Sequence, residues 1–301
     1  LQVEPQLGEK EYAKYARLQK DRFDMRFNDI SIRGIDMNEL LEERLIADRV
    51  DIGSSLVKIY RDLSYPRDKK NRVGTYPHQA IMNAPFPLYV NRLTVSGSTI
   101  ELKNKNPKSD ETGKLLFQNS SIDARNVTNM KERIQADNHL VIAAKTRFMG
   151  LSNVDAGFDM LINDPDGRFN FKGSASGFDA SQLNNVLIPL GLAKIESAKV
   201  KSLHFNFNCT DYISTGGLTI LYDDLKVTLL KKDSVENKIE EKKLASFISN
   251  LVVKNANPDK KGNIRRASVR YERDTNRSFF HFISFSIFTV VKETSGMEVK
   301  K

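Results

Sequence analysis

The residues best suited to nucleophilic, proton-transfer or metal chemistry are few and scattered. The histidines His78, His139, His204 and His281 and the single cysteine, Cys209, stand far apart in the chain. None has a second His, Cys or carboxylate at a spacing that local structure turns into a metal site. The chain contains no G-x-S-x-G, H-E-x-x-H, P-loop or G-x-G-x-x-G. Asp164 and Asp166 in NDPDGR, and Asp223 and Asp224 in YDDLK, offer an acid/base pair or calcium ligands. Turn chemistry explains NDPDG better, because Pro and Gly occupy turn positions and no correctly spaced Glu completes an EF-hand. The Gly/Ser-rich Ser96-Gly97-Ser98 and Gly173 to Gly177 lack a phosphate-cradling helix start, and they are expected to be bends or bulges. Cys209 has no disulfide partner and is expected to pack as a small hydrophobe. The expectation is a protein that is not an enzyme and has no cofactor or metal.

Function must then lie in a surface. The 301 residues are 40% hydrophobic and 28% charged, enough to bury a sizeable core, and no stretch reaches the roughly 18 apolar residues of a membrane span. The net charge of +9 is spread among interleaved acids and bases. Its densest cluster, Lys260, Lys261, Arg265 and Arg266, sits in a loop without a recognition helix or aromatic platform, so a nucleic-acid partner is not expected. The sequence begins at Leu1 without an n-region and h-region, so any signal or anchor is expected outside it.

Residues 9 to 22 read as a helix, and strand periodicity then dominates. Strands are predicted at 27–32, 49–60, 88–102, 140–148, 156–162, 168–175, 200–208, 218–230, 247–253 and 267–271, in a mostly antiparallel arrangement. Polar stretches at 103–113, 231–243 and 255–263 read as loops. Along the strands apolar and polar residues alternate, as in Leu225, Val227 and Leu229 against Lys226 and Thr228, giving one apolar face and one wet face. Such a face is covered by curling, by packing helices or by holding an apolar ligand. The fold class expected is mainly β: a long curled antiparallel sheet, as an open groove or flattened barrel, with a few short helices including one at each terminus.

A weak internal repeat aligns IRGIDMNELL at 32–41 with ASGFDASQLN at 175–184. Gly34 and Gly177 are expected to take a backbone angle other residues resist, and Asp36 and Asp179 to cap short helices, with Glu39 and Gln182 closing capping boxes. The organisation expected is an N-terminal helical lead-in at 1–26, β repeat halves at 27–130 and 131–277, and a C-terminal amphipathic helix and tail at 278–301. In that helix Phe279, Phe280, Ile283, Ile287, Val290 and Val291 share one broad face, widened by Phe282, Phe285 and Phe288. Two roles are open to it: packing on the apolar face of the sheet, or docking on a membrane surface or protein partner.

The strand–GID–helix units, YRDLSYPRD at 60–68, GFDASQLNNVLIPLGLAKIESAKV at 177–200 and the closing SFFHFISFSIFTVVKETSG resemble the AsmA-like proteins of Gram-negative envelopes, including TamB-like and YhdP-like members. The resemblance covers most of the chain from about Phe27. It implies a periplasmic body, held at the inner membrane by an N-terminal segment this sequence lacks, and a curled β-groove accommodating lipid acyl chains in lipid transport and envelope maintenance. The residues expected to face such a groove are Val50, Ile52, Leu93, Val95, Phe205, Phe207, Leu225 and Val227. The partner expected is a phospholipid or other lipid. The alternative is an interaction module with a filled core that docks a partner through its C-terminal helix.

Overall fold

A computed structural model describes residues 1–191, 193–232, 239–241 and 253–296. In chain order its elements are β1 (Gln2–Val3), α1 (Glu9–Ala16), β2 (Arg22–Phe27), β3 (Ser31–Ile35), α2 (Met37–Leu41), β4 (Leu45–Ile52), β5 (Ser55–Asp62), α3 (Pro77–Met82), β6 (Leu88–Lys105), β7 (Thr112–Thr128) and α4 (Lys131–Ala136). There follow β8 (His139–Phe148), β9 (Ser152–Leu161), β10 (Phe169–Asp179), a 3-10 turn (Ala180–Leu183), α5 (Asn184–Gly191), β11 (Ala193–Cys209), β12 (Ile213–Lys232), β13 (Ile239–Glu241), β14 (Ala267–Glu272) and α6 (Phe279–Ser295).

The strands form one mixed sheet that does not close into a barrel. Its order is β1-β2-β5-β6-β7-β8-β9-β10-β11-β12-β13, with β3 joined through β4 to β6, and β14 to β12. Period-two alternation decides which side of each strand is buried. In β8, Leu140, Ile142, Ala144, Thr146 and Phe148 are more buried than the intervening Val141, Ala143, Lys145 and Arg147.

The predicted strand at 49–60 is two strands. The chain breaks at Gly53 and Ser54, and β4 and β5 then pair with successive stretches of β6, both in parallel. These two are the parallel pairings in a sheet that is otherwise antiparallel, as expected for most of it, and they force residues 63–87 to return as a crossover. The predicted strand at 27–32 likewise divides, because Asp29 takes a left-handed φ of 50° between β2 and β3. The first helix stops at Ala16, where Arg17 at φ 52° ends it. The predicted strand at 247–253 lies outside the described residues apart from Val253, and most of the predicted 231–243 loop lies outside them too.

Both halves of the repeat build a strand, a short capped helical turn and an antiparallel return strand. Asp36 accepts hydrogen bonds from the Asn38 and Glu39 amides, and Asp179 from that of Ser181. The capping boxes do not form: Glu39 turns to Arg44, 2.8 Å away. Gly34 has the left-handed φ of 62°, whereas Gly177 does not and is needed for close approach, since a Cβ there would lie 2.9 Å from the Val200 and Lys201 carbonyl oxygens. After these units the halves diverge, because β11 continues into an antiparallel β12 while β4 leads to the parallel crossover. β2 spans the boundary at 26/27, and β7 pairs with β8 across that at 130/131, so the segments share one sheet.

Candidate functional site

The strand registers align the apolar side chains in rows. One row runs Ile52, Val95, Ile122, Ala144, Ala156, Gly173, Phe205, Leu218, Ala267 across nine strands. The row beside it runs Val50, Leu93, Ala124, Ile142, Phe158, Phe171, Phe207, Gly216, Val269. Six of the eight sequence-predicted groove residues therefore lie in two adjacent rows on the inner face. Leu225, further along β12, is buried in the core and Val227 packs against it.

The two ends of the rows differ in covering. Phe205 and Phe207 are buried against Phe171, at ring-centroid distances of 4.7 and 6.0 Å, and Phe158 stacks on Phe171 at 5.0 Å. Towards β4 the side chains are half-buried, and Val50, Ile52 and Val95 stand outside the buried cluster. Small residues lie between these regions: Ala144, Ala156 and Gly173 are neighbours in one row. A Cβ on Gly173 would sit 2.5 Å from the Phe205 ring, so the glycine lets that ring lie flat on the sheet.

Helices and the crossover close the inner face at its margins. α5 is tied to the β6–β7 hairpin: the Asn106 side-chain amide donates to the Pro189 carbonyl at 2.8 Å, and Ser109 Oγ donates to the same oxygen at 2.8 Å. At the opposite margin, Tyr76 in the crossover is fully buried, with ring centroids 5.3 Å from Phe169 and 6.0 Å from Phe282. Its hydroxyl donates to the Thr210 carbonyl at 3.1 Å, and burial pushes its pKa up.

α6 packs along β12 and β14 with Phe282, Ser286, Val290 and Thr294 buried. Ser278 caps its start and Gly296, at φ 71°, ends it. Of the six residues expected on one broad face, five lie on the buried side, Val290 among them. Phe279, Ile283, Ile287 and Val291 pack against the core, but Phe280 is 63% exposed and Phe282 takes the central place. Ser286 and Thr294 share the buried side, their hydroxyls donating to the Phe282 and Val290 carbonyls of the same helix and so needing no external partner; Ser284, on the exposed side, makes the same bond to Phe280.

A polar hub that the sequence pattern did not reveal holds the crossover down. Arg273 Nη1 donates to Asp211 Oδ1 at 3.3 Å and to the Asp211 carbonyl at 3.1 Å, and Nη2 donates to the Arg72 carbonyl at 2.7 Å. Gln79 Nε2 donates to Asp211 Oδ2 at 2.8 Å. These residues come from three distant stretches, so no local periodicity marks them. The one local signal is an aromatic, Tyr76, placed before Pro77 at a helix start.

The residues singled out for chemistry remain apart. His78 is fully buried, and neither ring nitrogen has a protein hydrogen-bond partner among the described residues; burial pushes its pKa down to about 4. His139 lies 2.5 Å from Asp159 on the outer face, His204 is exposed there, and His281 stacks on Phe285 at 4.1 Å. Burial pushes the Cys209 thiol up to about 12, so it stays protonated. Asp164 organises the expected turn, accepting from the Asp166 and Arg168 amides. Among the described residues no group of three or more His, Cys, Asp or Glu is placed to hold a metal, and no helix is long and apolar enough to cross a membrane. Of the basic loop, Arg265 is engaged in structure, donating to the Thr294 carbonyl and to that of Ala256.

No family model, curated protein or solved structure matches this chain.

Proposed function

We propose that the protein is a non-catalytic lipid-binding protein that holds an extended acyl chain along the inner face of its sheet. The observation that carries this reading is the pair of apolar rows in register across nine strands, covered by α6 and the crossover at one side and half-open towards β4. The small side chains of Ala144 and Ala156, paired in the row beside the aromatic cluster, are where an acyl chain would lie. Binding is passive: about 25 cal/mol for each Å2 of apolar surface removed from water drives it, and no reactive group is required. The setting that goes with this role is the periplasm, with an inner-membrane anchor and a part in lipid transport and envelope maintenance, as the AsmA-like resemblance implies. Purification without detergent, followed by solvent extraction and mass spectrometry, tests the reading. It predicts co-purifying phospholipid or fatty acid at near-stoichiometric amounts; an extract free of lipid counts against it.

A second reading is favoured by the outward side of α6, where Phe280, Phe285 and Phe288 are 63%, 41% and 46% exposed. These rings dock a membrane surface or an envelope protein partner. Phe280→Ser with Phe288→Ser leaves the fold intact and abolishes association with vesicles if this reading holds.

A further inference from the structure

The outer face of the sheet carries a row of arginines that no sequence spacing reveals. Arg33 pairs with Arg49, Arg49 with Arg92, and Arg92 with Arg125, on four strands laid side by side. At a strand separation of about 4.8 Å the row is about 14 Å long. Like charges directly opposite one another on neighbouring strands are destabilising, so such a row needs compensation.

The compensation is incomplete. Asp51 lies 2.6 Å from Arg49 Nε and 3.9 Å from Arg33 Nε. Asp123 receives both nitrogens of the Arg92 fork and lies 3.6 Å from Arg125. Each carboxylate serves two guanidiniums. Hydrogen bonds from Thr94 and Arg49 hold the Asp51 carboxyl below its ordinary range, and Arg92 does the same for Asp123. Arg33 and Arg125, at the ends of the row, keep 71% and 67% of their side chains exposed.

Arg33 and Arg49, at one end of the row, line a depression of about 820 Å3 together with Asp51, Asp123, Asp29 from the β2–β3 connection, Lys145, which also lies 3.6 Å from Asp155, and the apolar Ile52, Val95 and Ile122. Ser96 and Ser121 line it as well, and no aromatic ring does, so bases would find nothing to stack on. A guanidinium fork matches the geometry of a phosphate, and a cross-strand line of forks suits anions repeated at intervals of a few ångströms.

We propose that the Arg33–Arg49–Arg92–Arg125 row is a binding site for a ligand that carries two or more phosphate groups. The arginines alternate along their strands with the apolar rows, the depression beside them shares Ile52, Val95 and Ile122 with the β4 end of those rows, and the proposal does not depend on an acyl chain being bound. The phosphates belong either to a soluble polyphosphorylated molecule or to the headgroups of an anionic lipid.

Two probes separate these sources. Inorganic tripolyphosphate is titrated calorimetrically at low ionic strength, and phosphatidylcholine vesicles with and without phosphatidic acid are tested by co-sedimentation. The comparison sets the wild-type chain against Arg33→Gln/Arg125→Gln and against Lys10→Gln/Lys14→Gln, which removes the same charge from exposed positions on α1. The site predicts binding of at least one probe, weakened 10-fold or more in the arginine variant and unchanged in the lysine variant. Asp123→Asn, which frees the Arg92 fork, tightens it. Tripolyphosphate binding assigns a soluble ligand, and binding of acidic vesicles alone assigns a lipid. Single Arg33→Gln and Arg125→Gln variants give the same ordering should the double variant not fold. Binding of neither probe, or equal weakening by the lysine pair, overturns the proposal.

Discussion

The Arg273 guanidinium lies over the Tyr76 ring, 4.3 Å from its centroid, while donating to Asp211, so one side chain clamps the crossover, the β11–β12 turn and the start of α6 together. The Arg273 and Asp211 side chains are 0% and 4% exposed. Removing one partner of a buried pair leaves the other charge uncompensated, which costs about 3–5 kcal/mol. Arg273→Met and Asp211→Asn are each expected to lower the unfolding free energy obtained from urea titration by that amount. The double variant is expected to lose less than the sum, because neither charge remains to be stranded.

The buried His78 makes stability depend on pH. Its folded pKa, about 4, lies below the ordinary value of 6.5, so between those values the unfolded chain binds more protons. Stability therefore falls as pH drops from 6.5 towards 4, by up to about 1.4 kcal/mol per pH unit for this group. His78→Phe removes that slope and places a ring of matching character beside Tyr76 and Phe169. Urea midpoints at pH 5 and pH 8 are expected to lie closer together in the variant than in the wild type.

α6 offers a contrast between neighbouring phenylalanines. Phe282 is fully buried among Tyr76, Phe169 and Tyr271, so Phe282→Ala is expected to cost about 3–5 kcal/mol. Phe280→Ala, at a mostly exposed position, is expected to stay within about 0.5 kcal/mol of wild type. Chain truncated before Ser278 is expected to lose its cooperative unfolding transition, since the helix fills one margin of the core.

Gly173 reports on the inner face. A Cβ there would lie 2.3 Å from the Asp155 carbonyl oxygen as well as against the Phe205 ring. Gly173→Ala is expected to destabilise by about 1–3 kcal/mol through this overpacking, read by thermal unfolding.

Much of the sheet was legible because a strand's period of two survives in sequence. The alternation in β8 and the long apolar series of β6 and β12 named the inward residues, and six of the predicted groove positions fall into two rows. What escaped depends on pairing between distant segments. Nothing local to 49–60 says that both β4 and β5 run parallel to β6, yet that pairing creates the crossover carrying Tyr76 and His78. Likewise Arg33, Arg49, Arg92 and Arg125 are ordinary scattered charges until four registers align them. In α6 the projection placed Phe279, Ile283, Ile287, Val290 and Val291 on one face, and it could not tell that Phe280 stands out from the core while Ser286 and Thr294, their hydroxyls satisfied within the helix, lie in it.

The proposed acyl-chain site is tested most directly by adding bulk to its small side chains. Ala144 and Ala156 lie side by side on the inner face, half-buried, where a larger side chain takes the space an acyl chain would use. Titration of a fluorescent long-chain fatty acid against the wild-type chain and against Ala144→Phe/Ala156→Phe is the measurement, with circular dichroism confirming that the variant folds. The account predicts saturable binding by the wild type and at least 10-fold weaker binding by the folded variant. No saturable binding by the wild type, or equal affinity in the filled variant, would contradict it.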